Sequence, residues 1–447
     1  MRFCLASTIV ASALFGAVAP AHARCIDEAG SEPSASTEAP LSPADPRLTL
    51  QALVRDALAR SQAIGASRLL AEAAALDIDE ARAAKAVQST LNVELGPAVS
   101  RSAGVTTSTA VQGRAAVSLT QLLYDGGRSD RLVDWRTNLA EAARLGYLSQ
   151  QEQLALNTVA LSLERSRYRQ HAVVYGQYVR KMGCLVEALD SIVKADRGRA
   201  SELVQARKSL QQAELAQSQA VSQARQVEVR LRRLVGDGLP SAQGLASVLL
   251  QVPDLSVIDS ELPGSTEIAQ LAAQAAAMGQ YASAVQASSK PQLSWGLGGS
   301  KTTAAGAGSV DNKSTALSLG VTLNIPLINP AVAPAAEAAR KRAQAAALQR
   351  EEALDARRAR VRETHEQTTS AFDRAARVGS VLRDSEQVRN FTLQQWQQLG
   401  RRSLFDVMSA EAEHYNLRVS YINALHDGQQ LNALLLSLGR GLNEWLR

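Results

Sequence analysis

The fold is decided by the stretch Val117-Ser-Leu-Thr-Gln-Leu-Leu-Tyr-Asp-Gly-Gly127, in which apolar and polar residues alternate from Val117 to Thr120 and a glycine pair ends the stretch. Alternation with a period of two predicts a β-strand with one apolar face. A second stretch, Val321-Thr-Leu-Asn-Ile-Pro-Leu-Ile328, has the same alternation and is ended by a proline. Each stretch precedes a long segment without strong helix breakers, so the sequence predicts the same strand-to-helix transition twice.

The two halves of the chain repeat this order of elements at a constant spacing. Val117-Ser-Leu-Thr and Val321-Thr-Leu-Asn are 204 residues apart, and so are Ser201-Glu-Leu and Phe405-Asp-Val. A spacing shared by a strand and a distant helical turn indicates one duplicated unit with the order helix, strand, strand, helix, helix. The period is far longer than that of a solenoid repeat.

Helix-breaking glycine and proline residues, together with changes in composition, indicate the boundaries of the repeats. Each repeat contains a long helical hairpin, with its tip near Gly198 or near Gly400, and a strand hairpin whose polar loop is predicted at 101–114 or 299–314. We predict a first repeat at 48–235, with strands at about 91–100 and 115–124, followed by an equatorial connector at 236–265. The second repeat is predicted at 266–442, with strands at about 291–299 and 315–325, and a C-terminal tail at 443–447.

The N-terminus predicts export from the cytoplasm. Met1-Arg2 is followed by an apolar stretch to Val18 and by the small-residue site Ala21-His-Ala23, so 1–23 is predicted to be a signal peptide. Residues 24–47 are rich in Pro, Ser, Glu and Ala and are predicted to form a flexible leader. No lipid-attachment pattern precedes Cys25, so we expect no acylation.

The length of the helical segments favours coiled coils. About 70 residues separate Gly127 from Gly198, which corresponds to about 100 Å of helix. Apolar residues recur at steps of seven, as a coiled-coil seam requires: Leu154, Leu161, Tyr168, Tyr175, Met182 and Leu189. A soluble coiled-coil rod would explain these helices but not the four strands.

Four strands leave two open edges, which an outer-membrane barrel cannot tolerate. Such barrels begin at about eight strands, so one chain cannot close a barrel alone. Two copies would supply eight strands and three copies would supply 12. Because long helices favour a wide conduit, we predict a trimer with a 12-stranded barrel in contact with outer-membrane lipid.

Composition and motifs argue against other functions. The 48 Lys and Arg residues are interspersed with 43 Asp and Glu residues, which disfavours nucleic-acid binding. We find no catalytic, cofactor or metal motif, and predict no enzymatic activity; the cluster Glu411-Ala-Glu-His414 is interpreted as helix-surface charge. In the mature chain, Cys25 and Cys184 could form a disulfide or remain two unrelated thiols.

The mature sequence as a whole resembles the TolC-type outer-membrane efflux protein family. The two stretches quoted first look like the family's strand-to-helix ending and its second-half counterpart. Gly198-Arg-Ala-Ser-Glu-Leu-Val-Gln-Ala206 and Gly400-Arg-Arg-Ser-Leu-Phe-Asp-Val-Met-Ser-Ala410 are similar to the family's Gly-x-x-Ser-x-x-Asp-Val-x-x-Ala hairpin. The first hairpin departs from this pattern because it is two residues shorter.

The resemblance implies a passive, gated export channel in the outer membrane of a Gram-negative bacterium. The 12-stranded barrel would continue into a periplasmic α-helical barrel, and a membrane-fusion adaptor and an inner-membrane pump, either an ABC transporter or a proton-driven one, would complete the machine. Type I protein secretion and small-molecule efflux both stay open. The alternative from another class is a periplasmic coiled-coil adaptor or scaffold, which would have one helical hairpin flanked by β-rich domains.

The resemblance also implies candidate site residues. Asp406 matches a carboxylate of the family's closed entrance, whereas Ser409 replaces the next one. Three copies of Asp406 around one axis would attract cations, although a solvated helix residue is the simpler interpretation. Arg401 and Arg402 could pair across the hairpin tips or with the adaptor. The predicted adaptor-docking residues are Gly198, Arg199, Ser201, Gly400, Arg401, Arg402 and Ser403.

Overall fold

A computed structural model describes residues 45–102, 105–240, 244–305, 312–399 and 402–447. The predicted signal peptide, most of the predicted leader, Cys25, Gly400 and Arg401 lie outside these residues. The helices are α1 (Pro46–Arg60), α2 (Gln62–Ala83), α3 (Arg128–Ala195), α4 (Ala200–Val235), α5 (Leu255–Glu261), α6 (Thr266–Ala287), α7 (Val332–Leu399), α8 (Leu404–Leu438) and α9 (Leu442–Leu446). The strands are β1 (Gln88–Ser102), β2 (Val105–Tyr124), β3 (Gln292–Ala305) and β4 (Asn312–Asn324).

The long helices confirm the internal duplication. Helices α3 and α7 each contain 68 residues. They begin 204 residues apart and end 204 residues apart, and the starts of α4 and α8 have the same spacing. The first helix of the first repeat, predicted as a single element, is two helices, α1 and α2, because the chain breaks at Ser61. The Ser61 hydroxyl accepts a hydrogen bond from Ile64 N at 3.3 Å and so caps α2.

The described residues form two compact units. The hairpin unit contains Glu164–Glu228 and Asp373–Leu425, which are parts of α3, α4, α7 and α8. The sheet unit contains Asp45–Leu163, Val229–Phe372 and His426–Arg447, including all four strands. Each unit is described by itself below.

The sheet is antiparallel, with the order β1-β2-β3-β4. Its strands are longer than predicted, and the expectation of long polar loops was wrong. β2 already begins at Val105, β3 continues to Ala305 and β4 begins at Asn312. These stretches are polar but rich in Thr, which suits strands, and their backbones pair across the hairpins. Polarity alone therefore did not mark a loop.

The first quoted stretch ends as the sequence predicts. The Asp125 carboxylate accepts hydrogen bonds from Gly127 N at 3.1 Å and from Ser129 N at 2.7 Å, which caps the start of α3. Gly126 and Gly127 have φ values of 70° and 84°, a left-handed conformation that favours glycine. The Asp-Gly-Gly triplet therefore turns the chain from strand into helix.

The C-terminal residues are not a tail. Leu442 and Leu446 of α9 are buried in an apolar cluster of the sheet unit together with Leu50, Val54 and Leu163. With only five residues, α9 is too short for its apolar spacing to be recognised in the sequence.

Two buried amides fix the connector in the sheet unit. Gln429 Nε2 donates to the carbonyl oxygens of Leu245 and Val248 at 2.9 and 2.7 Å. Asn432 Nδ2 donates to those of Leu249 and Gln251 at 2.7 and 2.8 Å. These four hydrogen bonds satisfy carbonyl oxygens of the connector that are not paired within an α-helix or a β-sheet.

Among the described residues, no helix combines the length and the hydropathy that crossing a membrane would demand.

Candidate functional site: the apolar sheet face and the hairpin turns

One face of the sheet is apolar and open to its surroundings. Residues that are paired across neighbouring strands share a face, and one such row contains Leu91, Val117, Gly299 and Leu317. Leu91 is 66% exposed and Leu317 is 81% exposed. The other large apolar residues exposed on this face of the edge strands are Val93, Leu95, Leu319, Val321 and Leu323.

The opposite face of the sheet is polar. Thr90, Ser118, Gly298 and Ser318 form the neighbouring row, and the hydroxyls of Thr90 and Ser118 are hydrogen-bonded at 2.7 Å. An exposed apolar face of this extent is unusual for a water-soluble monomer. The sheet is therefore amphipathic, and its apolar face is exposed although burial of that face would be expected in a water-soluble protein.

The first hairpin turn joins α3 to α4 in the hairpin unit. The Asp196 carboxylate accepts a hydrogen bond from Gly198 N at 2.9 Å, and Arg197–Arg199 form a single 3₁₀ turn. Gly198 does not have a positive φ, but a Cβ atom there would lie 3.1 Å from the Asp196 carboxylate. Arg197, Arg199 and the predicted docking residue Ser201 are exposed.

The second hairpin turn joins α7 to α8, and its residues Gly400 and Arg401 lie outside the described part of the chain. Arg402 and Ser403 are exposed, and Arg402 Nε donates to Gln395 Oε1 at 3.2 Å. Ser403 and Asp406 form a capping box: Asp406 N donates to the Ser403 hydroxyl at 3.2 Å, and Ser403 N donates to the Asp406 carboxylate at 3.1 Å. Asp406 therefore has a structural task that does not depend on any gate.

One apolar cluster packs the first turns of α4 and α8 together with α3. Its buried members include Leu203 and Ala206 of α4 and Leu404 and Val407 of α8. Trp396 of α7 packs against the same cluster. The structure therefore brings the helix starts that follow the two hairpin turns into one packed group.

The sequence interpretation missed Glu202, which is the counterpart of Asp406 in the first repeat. Both are the third residue of their helices, α4 and α8, and both are half-buried. Their separation is the same 204 residues that relates the two repeats. That spacing was the signal that could have identified Glu202.

The interpretation of Glu411 and His414 as surface charge was wrong. Glu411 is 0% exposed and His414 is 5% exposed. Burial raises the pKa of the Glu411 carboxyl, although Lys181 and Arg389 oppose the rise. Burial, followed by the charges of Arg389 and Arg418, lowers the pKa of His414 to about 4. The spacing of Glu411, four residues after Val407 and seven after Leu404, already placed it on the buried face of α8.

Two further predictions concern cysteines and metals. Cys184 is half-buried in α3, while its predicted partner Cys25 lies outside the described residues, so the disulfide stays a prediction. Within the described ranges, no three His, Cys, Asp or Glu side chains are grouped so that they could hold a metal ion.

Comparison with known proteins gives matches to structures only. The sequence matches no protein-family model and no curated protein. Crystal structures of CusC, described for folding and transmembrane channel formation, match with a TM-score of 0.79 and 16% identity over 88% of this chain and 92% of that one. The outer membrane protein VceC of Vibrio cholerae matches with a TM-score of 0.76 and 16% identity over 88% and 97%.

A third structure, the open state of the outer membrane channel MtrE of Neisseria gonorrhoeae, matches with a TM-score of 0.71 and 16% identity over 88% and 89% of the two chains. The chain has the TolC-type fold. This confirms the mostly helical chain with a small four-stranded sheet that the sequence predicts, while the 12-stranded trimeric barrel stays a prediction. The three matched structures are described as an outer membrane protein, an outer membrane channel and a protein that forms a transmembrane channel.

Proposed function

We propose that this chain is the outer-membrane channel component of a tripartite export system in a Gram-negative bacterium. Three copies would join their sheets into one 12-stranded barrel. The observation that carries the proposal is the amphipathic four-stranded sheet, whose apolar face is exposed and whose outer strands β1 and β4 have no further strand beside them among the described residues.

The dimensions of the sheet fit a lipid bilayer. The shortest strand, β4, has 13 residues, and a strand that crosses a membrane in a barrel needs about 9–11. Lys301 and Lys313 share the apolar face but lie towards the β3–β4 turn, where a barrel emerges from the hydrocarbon region. The apolar face would contact lipid, and the polar face with Ser118 and Ser318 would line a water-filled conduit.

The proposed partners follow from the hairpin turns. A periplasmic membrane-fusion adaptor would dock on the residues around Gly198 and Arg402, and an inner-membrane ABC or proton-driven pump would supply the energy. The channel itself would be passive and would catalyse no reaction. Proteins and small molecules are both suitable cargo for a polar conduit of this kind.

The proposal is tested by the location and the assembly state of the full-length protein. We expect it in the outer-membrane fraction, and we expect light scattering in mild detergent to give the mass of a trimer. A soluble periplasmic monomer or dimer would overturn the barrel and favour a coiled-coil scaffold.

The gate prediction concerns the charge of Asp406. Asp406→Asn keeps a side-chain oxygen that can accept the hydrogen bond from Ser403 N but removes the negative charge. If three copies of Asp406 narrow the entrance, this variant should conduct more and be blocked less by divalent cations in single-channel recordings.

Ser403→Ala is the matched control for the gate, because it removes one half of the capping box and keeps the charge of Asp406. We expect it to cost about 0.5–2 kcal/mol of helix stability and to leave divalent block unchanged. Equal block in wild type and Asp406→Asn would remove Asp406 from the gate.

The docking prediction concerns the exposed arginines of the two hairpin turns. The docking proposal pairs the two arginines with acidic groups of the adaptor. The double variant Arg199→Glu/Arg402→Glu would place glutamates against those acidic groups, so repulsion between like charges should weaken adaptor binding and reduce export. Trimer assembly should be unaffected, since both side chains are exposed.

Adaptor binding by the purified trimer, measured at low and high salt, checks this prediction. Arg233→Glu, an exposed position near the end of α4 in the sheet unit, is the control for a general effect of charge. Unchanged binding in the double variant would place the docking surface elsewhere.

A further inference from the structure

Two lysines lie close together on the apolar face of the sheet. Lys301 of β3 and Lys313 of β4 are exposed, and they are the only charged residues of this face among the side chains that the structure describes. Lys301 is paired with Thr315 and Lys313 with Thr303, so the two lysines are diagonal neighbours. Such neighbours lie about 7–8 Å apart, which allows both ammonium groups to contact one anion.

The strands do not neutralise this positive charge. As the structure describes them, the four strands contain a single acidic residue, Glu94 of β1. Glu94 pairs with Arg114, whose row continues to Thr302 on the polar face. The one carboxylate of the strands therefore lies opposite another cation and on the other side of the sheet from the two lysines.

The height of the two lysines matches one limit of a membrane. Leu323 lies on the same face near the end of β4 that leads to α7, ten residues from Lys313. Ten residues of antiparallel strand span about 34 Å, which is about 26 Å along the membrane normal at the usual tilt of about 40°. The apolar band of such barrels is about 25 Å tall. In the proposed channel, where the helical hairpins are periplasmic, Lys313 would therefore lie at the outer leaflet.

The surroundings of the lysines suit a ligand with a polar end and an apolar end. The exposed hydroxyls of Thr303 and Thr315 provide further donors on this face. Gly113, the β2 partner of Thr303, has no side chain to cover them. Leu317 follows Thr315 on this face in the direction of the membrane centre and is exposed.

Phosphorylated lipid of the outer leaflet has this chemistry. Lipid A, the glycolipid of that leaflet, has phosphate groups on its sugars and acyl chains that extend into the hydrocarbon region. Lysine binds phosphate as a point charge, and near a membrane surface its charged end extends towards the headgroups. Inorganic phosphate would contact the lysines but would leave the neighbouring leucines without a partner.

We propose that Lys301 and Lys313, together with the hydroxyls of Thr303 and Thr315, bind a phosphate group of lipid A. The acyl chains of the same molecule would pack against Leu317. The inference rests on the proposed channel function and adds one lipid-binding site for each subunit of the trimer.

The test measures lipid bound to purified full-length trimers by native mass spectrometry. The probes are lipid A with both phosphate groups and the same lipid after removal of its phosphates. A lysine beside an anionic lipid surface contributes about five-fold in affinity. We therefore expect the wild-type trimer to bind the dephosphorylated lipid about 20-fold more weakly, and the double variant Lys301→Gln/Lys313→Gln to lose a similar factor for phosphorylated lipid A.

Arg114→Gln is the matched control, because it removes a cation at the same height on the polar face, where Arg114 is the partner of Thr302. We expect it to bind phosphorylated lipid A as the wild type does. Lys301→Arg/Lys313→Arg keeps both charges and should retain binding. The comparison of the two lipids on wild-type trimers tests the site even if the glutamine double variant does not assemble.

Equal binding of the two lipids by the wild type, or of phosphorylated lipid A by the wild type and an assembled glutamine double variant, would overturn the inference. Displacement of lipid A by an equal concentration of inorganic phosphate would indicate a simple anion site and would overturn it as well. A wild-type protein that forms no trimer in the outer membrane would instead overturn the proposed function.

Discussion

Leu319→Arg is expected to prevent the protein from accumulating as a trimer in the outer membrane. Leu319 lies on the apolar face of β4 and is 76% exposed. An arginine at the lipid face of a membrane barrel costs about 2–4 kcal/mol near the bilayer midplane, and a trimer would contain three of them. Membrane fractionation followed by light scattering in detergent measures the effect.

Ser318→Arg is the matched control, one residue away and on the polar face. Ser318 shares its row with Gly298, Ser118 and Thr90, so an arginine there would enter the water-filled side of the proposed barrel. We expect trimers in normal amount with altered ion selectivity. If both variants assembled equally well, the apolar face of the sheet would not be the lipid-facing surface.

Gly441→Val is expected to cause the largest loss of stability in the sheet unit. Gly441 has a φ of 112°, which a β-branched residue adopts only at a cost of about 1–3 kcal/mol. A Cβ atom there would lie 2.7–2.9 Å from atoms of the Glu152 carboxylate group. That carboxylate accepts hydrogen bonds from the backbone of Leu442 and Asn443, so α9 and its buried leucines would be released.

Thermal unfolding followed by circular dichroism at 222 nm, together with limited proteolysis of the C-terminus, checks the Gly441 prediction. Gly279→Val is the control, because Gly279 lies in helix α6 with no atom near the position of an added Cβ. A melting temperature for Gly441→Val equal to that of the control would show that α9 is not held by this turn.

The fold could be predicted from the sequence because its signals are long and repeated. The alternation from Val117 and from Val321 identified strands, and the spacing of 204 residues identified the duplication that α3 and α7 reproduce. Asp-Gly-Gly at residues 125–127 identified the end of β2, because its capping and positive φ values are local properties of those residues.

The features that the sequence did not predict depend on contacts between distant segments. The polar residues from Val105 onward are strand because their backbones find partners. Glu411 is buried because α3 and α7 cover it, and α9 is ordered because Glu152, almost 300 residues earlier, accepts its backbone hydrogen bonds. Local pattern and composition carry little information about such pairings.

The order of the strands has a consequence for how the protein folds as it is made. β2 pairs with β3, yet residues 125–291 separate them, including the whole of the first helical hairpin. A chain delivered from its N-terminus therefore presents β1 and β2 long before β3 exists. A two-stranded hairpin with an apolar face is marginal alone and prone to pair with other chains. We therefore expect biogenesis to need a holding chaperone, or delayed strand formation, that keeps half-finished sheets apart until the second repeat is made.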